Sequence, residues 1–268
     1  MRRRFFVDRF ERDSAVLGGD AANHLGRVLR AEPGQLYELS DGESAWLART
    51  EKVGRDEVHF ALVEKLPVQA APVRITLLLA IVKFDRFEWA IEKATELGVD
   101  EIVPLMADRS EKGLIAAAAK RAERWERILL ESAQQARRLR VPWLHRAAKP
   151  GEAFRDSSVP LKVLLSERSG ASPMRELLEP AAGPTVGVDA TEVALAIGPE
   201  GGWTDVEIAD ARAANFLEAA IGANILRTET AVCAALAAVQ YAFGAFRPNI
   251  IADESQSELR EKREGGNG

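Results

Sequence analysis

Four groups of residues carry types and spacings that could do chemistry. The first is Gly198-Pro199-Glu200-Gly201-Gly202, a glycine-rich turn that also holds a carboxylate. Glycines there let a ligand come close to the main chain. The N–H groups that open a following helix can hold its polar edges. The second group is the stretch Ile221 to Thr230, which sets Gly222, Arg227, Thr228, Glu229 and Thr230 among apolar residues. Two such loops in one chain predict two walls of a single pocket. The third group follows Glu131: Gln135, Arg137, Arg138 and Arg140, with no further acid nearby in the sequence. An unneutralised cluster of this kind suits RNA phosphates or a base edge. The fourth is His24, Arg27 and Arg30, spaced by three on a helical segment and therefore expected on one face, as a phosphate-contacting surface.

The elements that must position these groups can be read from periodicity. Val193 to Ile197 is an apolar run that predicts a buried strand, and Thr204-Asp205-Val206-Glu207 predicts a capping box opening a helix. Upstream, Ile75 to Ile81, Glu101 to Leu105 and Leu161 to Leu165 read as further buried strands. Asp85 with Glu88 suggests a cap for a helix that ends at Leu97, with Gly98 as its stop. This alternation predicts an α/β domain with a parallel sheet. The Ser166-Glu167-Arg168 break lies at a strand's carboxyl end, where open sheets bind ligands. A long helical stretch is expected from Ala116 to Leu139, and a last one from Ala231 to Phe246. The latter is apolar nearly all round, which predicts burial on two sides, one of them against a second copy of the chain.

The first 70 residues differ. Short candidate strands (Arg3 to Val7, Ser14 to Leu17, Gln35 to Ser40, Ser44 to Thr50, Glu57 to Leu62) alternate with Gly and Pro turns, and one helical segment, Ala21 to Leu29, interrupts them. This predicts a small β-barrel. A proline-flanked linker, Leu66 to Pro72, marks the boundary. The division is therefore 1–70, 71–248 and a charged, Gly-terminated tail, 249–268, expected to be disordered.

Composition excludes several classes. The single cysteine, Cys233, allows no internal disulfide and fits a reducing, cytoplasmic setting; it reads as a packing residue. His24, His59 and His145 lack ligand spacing, so no metal is expected. No apolar run is long enough to span a membrane. The net charge of −5 argues only against unspecific nucleic-acid binding.

Gly198 to Gly202 and Ile225-Leu226-Arg227-Thr228-Glu229-Thr230-Ala231 resemble the two signature motifs of the RsmE family, methyltransferases of the SPOUT class. The segment Lys83 to Pro104, including Lys93 to Val99, is similar to that family's next most specific stretch. Arg109-Ser110-Glu111 begins like its Arg-Ser loop, and Asn23 to Arg30 resembles its front-domain pattern. Arg137 and Leu139 stand where that family usually has Gly and Asn. The resemblance implies a knotted α/β domain behind a PUA-like barrel. It further implies S-adenosylmethionine as methyl donor and N3 of a uracil in 16S ribosomal RNA of the small subunit as acceptor; the homodimer is expected from the last helix instead. The implied cofactor site comprises Leu165, Ile197, Gly198, Pro199, Glu200, Gly201, Gly202, Ile221, Gly222, Ile225, Leu226, Arg227, Thr228, Thr230 and Ala231. Leu165, Ile197, Ile221 and Leu226 would wall the adenine slot.

A uracil N3 must lose its proton to attack. Glu200 and Glu229 are candidate bases, and Arg138 and Arg227 candidate stabilisers of the anion. RNA contacts are expected from His24, Arg27, Arg30, Gln135, Arg138 and Arg140. Two other readings stand beside this one. One is a nucleotide-dependent metabolic enzyme, against which no Gly-x-Gly-x-x-Gly opens the first βα unit. The other is a non-catalytic RNA-binding assembly factor, which leaves the pocket loops without a purpose.

Overall fold

Residues 3–68, 71–181 and 191–244 are described by the computed structural model. The expected tail, residues 245–246 of the span expected for the last helix and part of the linker lie outside them; within the described residues that helix ends at Ala242, short of the expected Phe246.

The front part forms a five-stranded sheet from β1 (Arg4–Phe6), β2 (Ser14–Gly18), β3 (Leu36–Ser40), β4 (Ala45–Val53) and β5 (Glu57–Leu66). Their order is β1-β3-β4-β5-β2, antiparallel except for β1 beside β3. Alternating side chains point Phe5, Leu17, Leu39, Val58 and Phe60 into a core of its own. The helical segment expected over 21–29 is instead a short α1 (Gly19–Asn23) followed by a π-type turn, His24–Val28. Gly26 lies so close to β4 that a Cβ there would sit 3.3 Å from Val53. Arg30 has left the helix with φ +51°. The three-residue spacing of His24, Arg27 and Arg30 therefore does not give one helical face, because a wider turn and a left-handed residue intervene.

The second sheet has seven strands: β6 (Val73–Ala80), β7 (Glu101–Leu105), β8 (Trp143–Leu144), β9 (Leu161–Leu165), β10 (Ser172–Pro173), β11 (Thr191–Ile197) and β12 (Leu217–Ala220). All are parallel, in the order β10-β12-β9-β11-β6-β7-β8. Such a sheet is covered on both faces, which is why its strands read as continuous apolar runs. Leu77, Leu79 and Leu195 enter the core on one face, and Leu78, Ala80 and Ala194 that on the other. The first core is covered by α2 (Phe84–Glu96), α4 (Ala122–Gln135) and α8 (Thr228–Ala242). The second is covered by α5 (Pro150–Asp156) and α7 (Asp205–Ala213). Two shorter helices, α3 (Lys112–Ala118) and α6 (Met174–Ala181), complete the set.

Two boundaries differ from expectation. Asp85 and Glu88 do not cap α2. Lys83 is the N-cap residue, Asp85 lies in the first turn, and Glu88 pairs with Arg121 and Arg124. The stretch 116–139 is not one helix. A 3-10 turn, Ala119–Arg121, separates α3 from α4, and α4 stops at Gln135. Arg137 follows with φ +52°, a left-handed exit from the helix. Gly98, with φ +91°, ends α2 as expected.

The turn after α4 meets the front sheet. The Ser40 hydroxyl donates to the Leu139 carbonyl at 2.8 Å, and Arg140 donates to the Gly42 carbonyl. Arg137 lies 3.4 Å from Glu38, whose buried carboxylate also holds Arg4 at 2.9 Å.

Candidate functional site

Three neighbouring strands, β12, β9 and β11, end side by side, and each runs into a polar loop. These are the Ser166-Glu167-Arg168 turn, the Gly198–Gly202 turn and the segment from Ile221 to Arg227. Together they enclose a cleft of about 470 Å³. Carboxyl ends of parallel strands are where an open sheet leaves room for a ligand. Leu165, Ile197, Ala219, Ile221, Leu226 and Ala231 give one part of the cleft an apolar lining.

Specific bonds hold these loops. The Trp203 indole N–H donates to the Leu165 carbonyl at 2.9 Å, and the ring packs on Gly198 so tightly that a Cβ there would meet it at 2.9 Å. The Thr228 hydroxyl donates to the Gly198 carbonyl at 3.1 Å, seating the second loop against the first. Gly202 adopts φ +69° and donates its N–H to the Pro199 carbonyl, a turn that favours glycine. The capping box forms as read: the Thr204 hydroxyl and the Glu207 carboxylate each accept from the other's backbone N–H. Glu207 is buried and also accepts the Asp108 N–H at 2.9 Å, drawing in the loop after β7. From that loop Arg109 donates to the Gly201 carbonyl at 2.6 Å.

Of the residues expected to hold a cofactor, the cleft brings together Leu165, Ile197, Gly198, Pro199, Glu200, Gly202, Ile221, Gly222, Ile225, Leu226, Thr228 and Ala231. Gly201, Arg227 and Thr230 are adjacent in sequence but do not line it. Arg227 is the exposed N-cap residue of α8. Glu229 lies outside the lining too. It is near enough to Cys233 to act on that thiol, which burial, first of all, pushes above its usual range. One Glu229 oxygen is buried and bonds to none of the described residues. The cleft also recruits residues not assigned to it from sequence: Arg109, Glu167, Arg168, Trp203 and Asp205. The strand-end rule pointed at Ser166 to Arg168, but nothing in the local pattern showed that the loop after β7 folds over Gly201.

The charges fall into pairs, with one exception. Arg168 holds Asp205 at 2.6 Å, and Arg86 from α2 holds Glu200. Arg109 and Glu167 form no ion pair among the described residues, and both flank Gly202.

The expected cationic cluster after Glu131 is corrected by the fold. Arg138 is mostly buried and donates to the carbonyls of Thr95 and Val99, with Asp100 3.4 Å away. Burial holds its guanidinium below the usual range, opposed by the Asp100 charge, while burial raises Asp100. Arg137 turns to Glu38 and Arg140 to Gly42, and Gln135 is exposed at the end of α4. Groups distant in sequence, two acids and a main-chain carbonyl, supply what the local window lacked. Arg138 is thereby a cap on the α2 terminus rather than a free cation beside the cleft.

α8 buries Thr228, Val232, Ala235, Leu236 and Val239, and its other side stays half-buried, with Tyr241 exposed. Among the described residues no three His, Cys, Asp or Glu side chains converge as metal ligands, and no helix is long and apolar enough to cross a membrane.

Residues 69–240 match the family model described as an RNA methyltransferase domain. A Synechocystis protein named ribosomal RNA small subunit methyltransferase E is 33% identical over 224 residues, covering 81% of this chain and 69% of that protein. One of the same name from Mycobacterium bovis is 30% identical over 243 residues, covering 88% and 90%. Among solved structures, ribosomal RNA small subunit methyltransferase E from Neisseria gonorrhoeae bound to S-adenosyl methionine is 28% identical with a TM-score of 0.78, covering 92% of this chain and 100% of that one. A putative methyltransferase from Legionella pneumophila in complex with the same cofactor is 30% identical, also with a TM-score of 0.78, covering 90% and 98%.

Proposed function

Because the chain belongs to the ribosomal RNA small subunit methyltransferase E family, we propose that it transfers a methyl group from S-adenosylmethionine to N3 of a uracil in the 16S RNA of the small ribosomal subunit. The observation that carries this reading is the cleft where β12, β9 and β11 end, with an apolar lining and two interlocked glycine-bearing loops. It suits an adenosine carrying a polar tail. Gly198 lets Trp203 pack directly on the main chain, and at Gly202 a side chain would intrude between Glu167 and Arg109. When bound, the cofactor supplies the activated methyl carbon.

The chain's own residues orient and dehydrate the site. Leu165, Ile197, Ile221 and Leu226 wall the adenine slot, and Trp203 fixes the turn. Uracil N3 must surrender a proton. Glu200 lines the cleft in its ion pair with Arg86, and Arg227, exposed at the start of α8, is the residue assigned to meet the developing anion. The front sheet is taken as a PUA-like barrel domain that holds RNA through Arg27 and its neighbours on the exposed π-turn. The half-covered face of α8 is read as a homodimer contact, the α/β domain as a knotted one and the enzyme as cytoplasmic.

The test is calorimetric titration of S-adenosylmethionine, followed by methyl transfer from labelled cofactor to whole small subunits and to naked 16S RNA. Saturable binding and one methylated uracil N3 are expected. A protein that ignores the cofactor, or methylates a different atom, overturns the reading.

A further inference from the structure

The two cleft charges without an ion-pair partner converge on one point. Glu167 comes from the turn after β9 and Arg109 from the loop after β7. A Cβ added to Gly202 would lie 3.3 Å from the Glu167 Oε1 and 3.9 Å from an Arg109 Nη1. The two do not bond to each other, although they carry opposite charges and flank the same glycine. Arg109 is steered by its bond to the Gly201 carbonyl, so its guanidinium is placed without being neutralised. The other cleft charges are spent internally, in the Arg168–Asp205 and Arg86–Glu200 pairs.

A gap between an unpaired cation and an unpaired anion suits a ligand group that bears both signs. We propose that Arg109 and Glu167 form the subsite for the amino-acid end of the cofactor, with Arg109 receiving the α-carboxylate and Glu167 the α-ammonium. The inference rests on the proposed cofactor. A guanidinium offers a carboxylate two parallel N–H donors, and a carboxylate accepts an ammonium in a charge-assisted bond. The apolar slot then takes the adenine and the charged gap takes the other end, so the cleft reads the length of the ligand as well as its base. Gly202 serves the same end, since any side chain there would occupy the gap.

The subsite predicts discrimination between ligands that share an adenosine but differ in their tail. Wild type, Glu167→Gln and Arg109→Lys would be titrated by calorimetry with S-adenosylmethionine, S-adenosylhomocysteine and 5′-methylthioadenosine, which lacks the amino-acid end. The lysine variant keeps the positive charge while removing the bidentate fork, and thermal melts would report whether each variant is folded. In the variants, affinity for the two full-length ligands should fall about tenfold or more, and affinity for methylthioadenosine should stay within about twofold. Equal losses for all three ligands would mean that the residues merely support the loops, and would overturn the subsite. Unchanged binding with slowed transfer would overturn it too, and would reassign Glu167 to proton removal. If wild type bound none of the three ligands, the cofactor reading itself would fall and the subsite with it.

Discussion

The cleft and the turn after α4 hold the same kinds of residue and use them in opposite ways. After α4, Arg137, Arg138 and Arg140 look free in sequence, yet the fold gives each an acceptor: Glu38, the carbonyls at the end of α2, and Gly42. In the cleft, Arg109 and Glu167 look like ordinary loop charges, yet the fold leaves them apart. Availability is therefore decided by what the tertiary structure places opposite a charge. A carboxylate 38 or 99 positions away can neutralise an arginine as well as one in the next turn, and a local window does not see it.

The largest test of this contrast is Arg138→Ala. If Arg138 caps the α2 terminus, its loss leaves Asp100 and several carbonyls unsatisfied. Denaturant unfolding should then show about 3 kcal/mol of destabilisation. A variant that melted normally while losing RNA affinity would restore the free-cation reading. Glu38→Gln should cost about 2 kcal/mol by the same measurement, because the buried Arg4 and the neighbouring Arg137 lose their counter-charge. On the cleft side, Gly202→Ala should cost only about 1 kcal/mol of stability through its positive φ, yet lower cofactor affinity about tenfold in a calorimetric titration. Arg27→Ala, at an exposed position, should leave the melting temperature unchanged. It should weaken binding to the small subunit and reduce the steepness of its salt dependence by about one ion. The smallest effect is expected from Glu229→Gln, which lies outside the cleft lining and should leave cofactor affinity within about twofold.

Much of the α/β part was legible because its signals are local. The apolar runs at Ile75 to Ile81 and Val193 to Ile197 are strands, the first of them ending at Ala80, Gly98 ends a helix, and the Thr204–Glu207 box caps one. The two glycine-bearing loops were legible for the same reason, and twelve of the fifteen residues assigned to the cofactor do line the cleft. What escaped depended on distance in sequence. The π-turn at His24–Val28 answers to Val53 packing against Gly26, and the break before α4 was invisible in a run of good helix formers. Arg109 enters the site only because Glu207 pulls in the Asp108 main chain from 99 positions away.

The middle of the large sheet joins β6 to β11, where Arg74 faces Glu192 across 118 positions of chain. During synthesis β6 can pair with β7 early, but it must wait for most of the protein to leave the ribosome before its partner on the other side, β11, exists. The front sheet, whose pairings all lie between Arg4 and Leu66, can fold long before that. A growing chain halted before residue 191 would carry a finished front sheet, an exposed apolar strand and half a cleft, a state for which chaperones are the natural recipients.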